Sequence, residues 1–388
     1  MKFSIAFALF ILTAMGMAAT DSKPPPEPEA SDKPQIEFRS ENDIGLYERV
    51  HFATHTADFE KTRPFYRMIG FTEGIGGFPL TNTHQLARAL GMFDLCQYEL
   101  AQGEIIFNPD SLNNARIDFL QFKKPFNDEP PYELPNHLGM AYAALLTTDL
   151  AADVAYLRDQ GVEFLSEPYG IPGNQFVFFR DPEGVLYKLM ETSPPHGDPD
   201  ENIHIIAMPY IGINVSNLEK SLEFYKMFGY TQVKMVPEYT STLEEAKAYG
   251  LDQRFRIKGA EVAIDRGDQN VLRLVQWIKP FNDEPPYPPP INHIGINRLA
   301  LSVPDLQRAV RILKRQGVEF LSEIAPCCSG TGGDDFGIVH AIDPDGAFIE
   351  LLGPIPPQPL QPQPEGCPPL ELKMPTNHKG EFRLPGNN

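Results

Sequence analysis

The chain has 388 residues, of which 42% are hydrophobic, and it carries a formal net charge of -19 at pH 7. This length favours two domains of roughly 150 residues over one compact core. The acidic charge repels phosphate backbones and anionic lipid surfaces, so neither nucleic acids nor membranes are expected as partners.

The first 19 residues have the pattern of a secretory signal peptide. Lys2 gives a positive start, residues 3–15 form a mostly apolar run, and small residues follow. The apolar run is shorter than the roughly 20 residues that a membrane-spanning helix needs. We therefore expect cleavage near residue 19 or 20, a secreted or periplasmic protein, and a Pro-rich acidic linker over residues 20–45.

Internal repetition is the strongest pattern in the chain. KPFNDEPPY occurs at 124–132 and 279–287, and GVEFLSE occurs at 161–167 and 317–323. Matched segments in the same order indicate a duplication. The duplication predicts one domain over 46–193 and another over 205–355, with a linker at 194–204 and a Pro-rich tail at 356–388. We interpret the KPFNDEPPY copies as rigid crossovers, although they could instead line a pocket mouth.

Each half divides again into two modules of a strand, a helix and several further strands. The four helices have a predicted N-cap residue after the first strand and a terminating glycine. The N-caps are Asp58, Asp149, Asn217 and Asp305, and the glycines are Gly70, Gly161, Gly229 and Gly317.

These modules carry a family resemblance. DFEKTRPFYRMIGF (58–71) and NLEKSLEFYKMFGY (217–230), with the endings at 179–191 and 341–353, resemble the vicinal oxygen chelate superfamily, which includes glyoxalase I and extradiol dioxygenases. The resemblance implies an α+β fold, with four βαβββ modules that form two tandem glyoxalase-like domains of curved mixed sheets. It does not fix the function, because one scaffold can carry many chemistries.

The resemblance also implies where a metal would bind. Members that use a metal place a His on the first strand of a module and a carboxylate or Gln on a late strand, where a divalent ion polarises vicinal oxygens or binds dioxygen. Carried onto this chain, these positions hold His51, Asp118, Tyr142, Lys188, Tyr210, Arg273, Arg298 and Glu350. Three of these residues are cationic and two are phenols, which are poor partners for a divalent ion. No cofactor is therefore predicted.

The grouping of these residues depends on which modules pair. If each half builds its own cavity, one holds His51, Asp118, Tyr142 and Lys188, and the other holds Tyr210, Arg273, Arg298 and Glu350. In that case Lys188 could balance Asp118, and Arg298 could pair with Glu350. If the first module pairs with the fourth, His51, Asp118 and Glu350 meet beside Arg298 and could hold one divalent metal ion.

Two classes of function stay open. The first is a protein that binds a small molecule in a half-barrel cavity without a complete metal site, with polar contacts from Tyr142, Lys188, Tyr210, Arg273, Arg298 and Glu350. The alternative is a metal-dependent lyase, isomerase or dioxygenase with His51, Asp118 and Glu350 as ligands. The pairing of the modules in space distinguishes the two.

Four cysteines suggest disulfide pairing in an oxidising compartment. The spacing does not fix the connectivity; one option is a bridge from Cys327 or Cys328 to Cys367, which would attach the tail to the second domain. Cys96 lies in a strand-like stretch and is expected to be a buried thiol.

Overall fold

The computed structural model describes residues 36–76, 82–113, 115–192, 202–264, 271–327, 335–358 and 361–369. The predicted signal peptide (1–19) and most of the predicted linker lie outside the described residues. No helix in the described ranges is long and apolar enough to cross a membrane.

The chain forms four modules in sequence order. Module 1 contains β1 (Glu48–His55), α1 (Phe59–Met68), β2 (Glu73–Ile75), α2 (His84–Ala89), β3 (Glu99–Phe107) and β4 (Arg116–Lys124). Module 2 contains β5 (Gly139–Thr147), α3 (Leu150–Asp159), β6 (Tyr169–Ile171), β7 (Asn174–Arg180) and β8 (Leu186–Glu191). Module 3 follows the short strand β9 (Ile205–Ala207) and contains β10 (Tyr210–Asn214), α4 (Leu218–Met227), β11 (Tyr230–Thr240), α5 (Leu243–Ala248), β12 (Arg256–Ile264) and β13 (Val271–Lys279). Module 4 contains β14 (Gly295–Ser302), α6 (Leu306–Arg315), β15 (Ala325–Pro326), β16 (Phe336–Ile342) and β17 (Phe348–Pro354).

The predicted helix boundaries are confirmed. Each predicted N-cap side chain accepts a hydrogen bond from the backbone N–H three residues later, as Asp58 does from Lys61. Each terminating glycine lies two residues beyond the helix and has a positive φ, for example 97° at Gly70 and 92° at Gly317. A left-handed backbone there favours glycine, because a Cβ atom would be strained.

The described residues form two curved mixed sheets, and the predicted α+β class with glyoxalase-like modules is confirmed. One sheet has the strand order β15-β16-β17-β14-β1-β4-β3-β2, and the other has β11-β12-β13-β10-β5-β8-β7-β6. Module 1 therefore pairs with module 4, and module 2 with module 3. The expectation that each half of the sequence forms its own sheet is wrong, because β1 hydrogen-bonds to β14 and β5 to β10.

The two KPFNDEPPY segments contact each other across this arrangement. His137 Nε2 lies 2.7 Å from the Glu284 carbonyl oxygen, and the Tyr132 hydroxyl donates to the carbonyl of Pro286. The side-chain amide of Asn136 donates to the Pro280 carbonyl, and that of Asn292 to the Pro125 carbonyl. These reciprocal contacts agree with the interpretation of the KPFNDEPPY segments as rigid crossovers.

In the part of the chain that the structure describes, the buried hydrophobic residues form three clusters. One large cluster packs α1, α3, α4 and α6 against one face of both sheets. Helix α1 also joins module 1 to module 2, because the Tyr66 hydroxyl donates to Asp181 and lies 2.9 Å from the Tyr187 hydroxyl. The opposite, concave face of each sheet has a cluster of its own, which includes residues of α2 in one case and of α5 in the other. These two faces contain the predicted site residues.

The disulfide prediction is wrong in its connectivity. Cys367 is bonded to Cys96, and not to Cys327 or Cys328. Cys96 is therefore not a free thiol. Cys327 is also disulfide-bonded, while Cys328 lies outside the described residues. The tail is consequently attached to the segment between α2 and β3.

Candidate functional site

The first concave face belongs to modules 1 and 4 and brings four predicted residues together. On β1, Ala53 is flanked by Asp118 on β4 and by Arg298 on β14. On β14, Ala300 is flanked by Glu350 on β17 and by His51 on β1. Side chains two residues apart on a strand share a face, so His51 lies on the same side as the flanking residues.

All four of these side chains are buried, with a relative exposure of 1–5%. His51 Nε2 lies 3.9 Å from Asp118 Oδ2 and 3.7 Å from Glu350 Oε2. Neither ring nitrogen of His51 has a hydrogen-bond partner among the described residues. The imidazole is therefore aimed at two carboxylates without being bonded to either.

Arg298 binds both of these carboxylates. Its terminal nitrogen contacts Asp118 Oδ2, and its Nε lies 3.2 Å from Glu350 Oε2. Burial alone would raise the pKa of Glu350, but the Arg298 guanidinium, together with the nearby His51 and His340, outweighs burial and holds that pKa well below its usual range. Burial would likewise lower the pKa of Arg298, and the two carboxylates raise it instead. The ion pair of Arg298 with Glu350 is confirmed, whereas Asp118 pairs with Arg298 and not with Lys188.

The second concave face belongs to modules 2 and 3 and repeats the same registers with different residues. On β10, Gly212 is flanked by Arg273 on β13 and by Tyr142 on β5. On β5, Ala144 is flanked by Lys188 on β8. Arg273 therefore corresponds to Asp118, Tyr142 to Arg298, and Lys188 to Glu350. Tyr210 corresponds to His51, because each lies two residues before the central Gly212 or Ala53.

Aromatic side chains surround the polar groups of the second face. The Arg273 guanidinium donates to the Tyr210 hydroxyl at 3.4 Å, and the Tyr142 and Tyr210 ring centroids are 6.3 Å apart. Burial raises the pKa of both phenols. They are neutral at physiological pH and can both donate and accept hydrogen bonds.

The structure thus separates the predicted residues into two sets of four. The grouping in which each half builds its own cavity is wrong: His51 and Asp118 meet Arg298 and Glu350, while Tyr142 and Lys188 meet Tyr210 and Arg273. The physical reason is the strand pairing between halves. The alternative in which module 1 pairs with module 4 is the arrangement present.

Several residues near the two faces were not predicted. His340 on β16 lies beside the first face, with its Nε2 4.0 Å from Glu350 Oε2. Phe176 on β7 and Tyr249 after α5 contact Lys188 on the second face. For His340 and Phe176 the alternation of side chains along β16 and β7 was an available signal. No sequence signal pointed to Tyr249, because the position of its side chain depends on how α5 packs against the sheet.

The comparison with known proteins agrees with this architecture. A sequence profile of the Glyoxalase/Bleomycin resistance protein/Dioxygenase superfamily matches residues 14–189 and 207–351. The chain belongs to this superfamily. Among its relatives, a trivalent organoarsenical cleaving enzyme from Bacillus sp. (strain MD1) is 43% identical over 56 residues, which are 14% of this chain. The match spans about a third, 35%, of the length of that relative.

Solved structures of superfamily members are similar over most of the chain. Glyoxalase I from Zea mays has a TM-score of 0.49 at 15% identity, over 79% of this chain and 92% of that one. A putative dioxygenase from Bacillus subtilis subsp. subtilis strain 168 has a TM-score of 0.45 at 10% identity, over 80% of this chain and 86% of that one.

The metal that some superfamily members use does not fit the residues present here. His51, Asp118 and Glu350 are suitable donors, but the two carboxylates already bind the Arg298 guanidinium. Within the described ranges, no group of three or more His, Cys, Asp or Glu side chains has a metal-binding arrangement. The second face offers two phenols and two cations, which is a poorer donor set still.

Proposed function

We propose that this chain is a metal-independent member of the superfamily that binds a small molecule on a concave sheet face. One observation carries the proposal: Arg298 lies within ion-pair distance of both carboxylates that would otherwise hold a metal ion, and it hydrogen-bonds one of them, Asp118. The site candidates for the ligand are then the polar groups of the second face, Tyr142, Lys188, Tyr210 and Arg273. An open groove of about 730 Å³ lies elsewhere, between α2 and α6, and none of the predicted positions lines it.

The electrostatics explain why Arg298 opposes a metal. A divalent ion about 4 Å from a guanidinium is repelled by roughly 8 kcal/mol at an effective dielectric constant of about 20. Arg298 is also buried and fully charged, so it cannot relieve the repulsion by losing its proton. A metal would have to displace the guanidinium from both carboxylates.

The test is the metal content of the purified protein and of an Arg298 variant. The unmodified protein should contain well under one equivalent of iron, nickel, manganese or zinc. Arg298→Ala should gain affinity for Zn²⁺ or Mn²⁺, because it leaves His51, Asp118 and Glu350 without the competing cation. The double variant Arg298→Ala/His51→Ala should lose that gain, and Arg256→Ala, which removes an exposed arginine, should not acquire it.

A second candidate function is a metal-dependent lyase, isomerase or dioxygenase. The observation in its favour is the convergence of His51 on both Asp118 and Glu350 at 3.9 and 3.7 Å. About one equivalent of metal in the unmodified protein, lost on His51→Ala, would establish this candidate and sink the metal-independent proposal.

The proposal includes secretion. The Cys96–Cys367 disulfide supports it, because disulfides persist mainly in oxidising compartments, and the N-terminal pattern is that of a signal peptide. Mass analysis of secreted material should find an N-terminus near residue 19 or 20. Retention of residues 3–15 in that material would contradict it. With a net charge of -19, neither nucleic acid nor an anionic membrane is proposed as a partner.

A further inference from the structure

The two concave faces carry opposite charges at equivalent positions. On the first face, the positions beside Ala53 and Ala300 hold the carboxylates Asp118 and Glu350. On the second face, the positions beside Gly212 and Ala144 hold the cations Arg273 and Lys188. The two faces therefore share the same strand registers at these positions but carry side chains of opposite charge there.

Arg298 on the first face forms ion pairs with two buried carboxylates. Among the described residues, the cations of the second face form no ion pair with a buried carboxylate. Lys188 is 3% exposed, and it makes no ion pair in the described part of the chain. Its Nζ lies 3.9 Å from the centroid of the Phe176 ring and 5.6 Å from that of Tyr249. Among the described residues, the carboxylate within ion-pair distance of Arg273 is Glu261, at the longer distance of 4.0 Å. A buried lysine without a counter-ion is costly unless something else supplies the charge.

The walls of the face are aromatic. The Tyr142 ring stands edge-on to Phe178 at 5.1 Å and to Tyr210 at 6.3 Å, and Phe178 lies 5.1 Å from Tyr249. Rings in these orientations offer apolar surface for a flat organic group. The partly exposed side chains of Arg273 and Glu261, at 20% and 27%, mark where the face meets solvent.

We propose that the second concave face binds a small aromatic carboxylate, with the carboxylate held between Lys188 and Arg273 and the ring packed against the tyrosines. The inference rests on the proposed function and names its ligand class. The guanidinium supplies paired donors for the carboxylate, and Lys188 supplies a second, deeper positive charge.

Binding of the carboxylate should be linked to protonation of the Lys188 amine. Burial, with a contribution from Arg273, lowers the pKa of Lys188 well below its usual value, while Glu245 on α5 and Glu261 on β12 oppose that shift. A bound carboxylate would raise this pKa again, so binding should take up a proton. The affinity for the carboxylate should therefore fall as pH rises through the pKa of Lys188 in the complex.

The test uses Trp277, the only tryptophan of the chain. It lies in the same cluster, with its ring 6.0 Å from Tyr249. Titration of the full secreted chain with benzoate should change the Trp277 fluorescence, and the neutral isostere benzamide should bind at least tenfold more weakly. Lys188→Met and Arg273→Gln should each weaken benzoate binding at least tenfold, and the control Lys61→Met, at an exposed position on α1, should not.

The outcomes separate this inference from the proposed function. Equal binding of benzoate and benzamide, unchanged in Lys188→Met, would overturn the anion inference and leave small-molecule binding intact. No response to either compound would overturn the aromatic carboxylate as the ligand, whereas the metal analysis decides the metal-independent proposal separately. Lys188→Met should fold with a higher melting temperature, because it removes a desolvated amine. A large loss of stability would contradict the unpaired state of Lys188.

Discussion

The buried ion pair between Arg63 on α1 and Glu104 on β3 gives a stability prediction that can be worked out from its contacts. Both side chains are 2% exposed, and Arg63 Nε donates to Glu104 Oε2 at 2.7 Å. The same guanidinium donates to the carbonyls of Phe71 at 2.9 Å and Glu73 at 3.3 Å. Glu104→Gln preserves the shape but removes the charge that neutralises Arg63.

A buried charge left without its partner costs about 3–5 kcal/mol. We expect Glu104→Gln to lower the free energy of unfolding by that amount, as measured by urea denaturation monitored by circular dichroism. The exposed pair of Arg158 and Glu167 provides the control, because Glu167→Gln should cost less than about 1 kcal/mol. Replacing both buried partners, in Arg63→Met/Glu104→Leu, should recover most of the loss. A cost below about 1 kcal/mol for Glu104→Gln would refute the reasoning.

Three further predictions concern the tail, the second face and pH. Cys367→Ser should lower the free energy of unfolding by about 2–5 kcal/mol, because the disulfide closes a loop of 271 residues in the unfolded chain; differential scanning calorimetry with and without reductant checks this. Gly212→Ala should cost about 1–3 kcal/mol in urea denaturation, because its Cβ would lie 2.5 Å from the Tyr142 ring. Burial raises the pKa of Asp181 and Asp343 from 3.8 to about 6. The folded state thus holds these protons more tightly than the unfolded state, so the stability that they contribute below pH 4 should be lost as pH rises through about 6, by about 3 kcal/mol per carboxyl. Unfolding measured from pH 4 to 7 should show this slope, and Asp343→Asn should remove about half of it.

The sequence predicted the local structure of the modules because local signals determine it. An Asp or Asn that caps a helix and a glycine that ends it act through their own backbone neighbours, so Asp58 and Gly70 could be assigned without the fold. The short helices α2 and α5 were missed because six residues carry too little periodicity to be recognised. Their positions matter for the site, since they supply residues to the concave faces.

The pairing of modules could not be predicted from these signals. The two KPFNDEPPY segments are identical, so each crossover carries the same information and does not distinguish pairing within a half from pairing between halves. The choice is made by strand contacts over long sequence separations, such as Phe52 beside Leu299. For the same reason the candidate site residues could be named individually, while their grouping stayed open between two arrangements, of which the structure has the one that pairs module 1 with module 4. The disulfide was also assigned wrongly, since connectivity cannot be deduced from cysteine spacing alone.

The pairing of modules from different halves determines which residues share a concave face. Because each sheet takes one module from each half, the polar residues of the second face come from modules 2 and 3, and those of the first face come from modules 1 and 4. On the first face the buried charges are paired with one another, since Arg298 lies within ion-pair distance of both Asp118 and Glu350. The second face keeps Lys188 without an ion pair in the described part of the chain. Buried charges that already pair with one another gain little from a ligand, whereas a buried amine without a counter-ion is stabilised in its protonated form when an anion binds. We therefore expect the ligand at Lys188, on the face where cations stand at the positions that hold Asp118 and Glu350 on the first face.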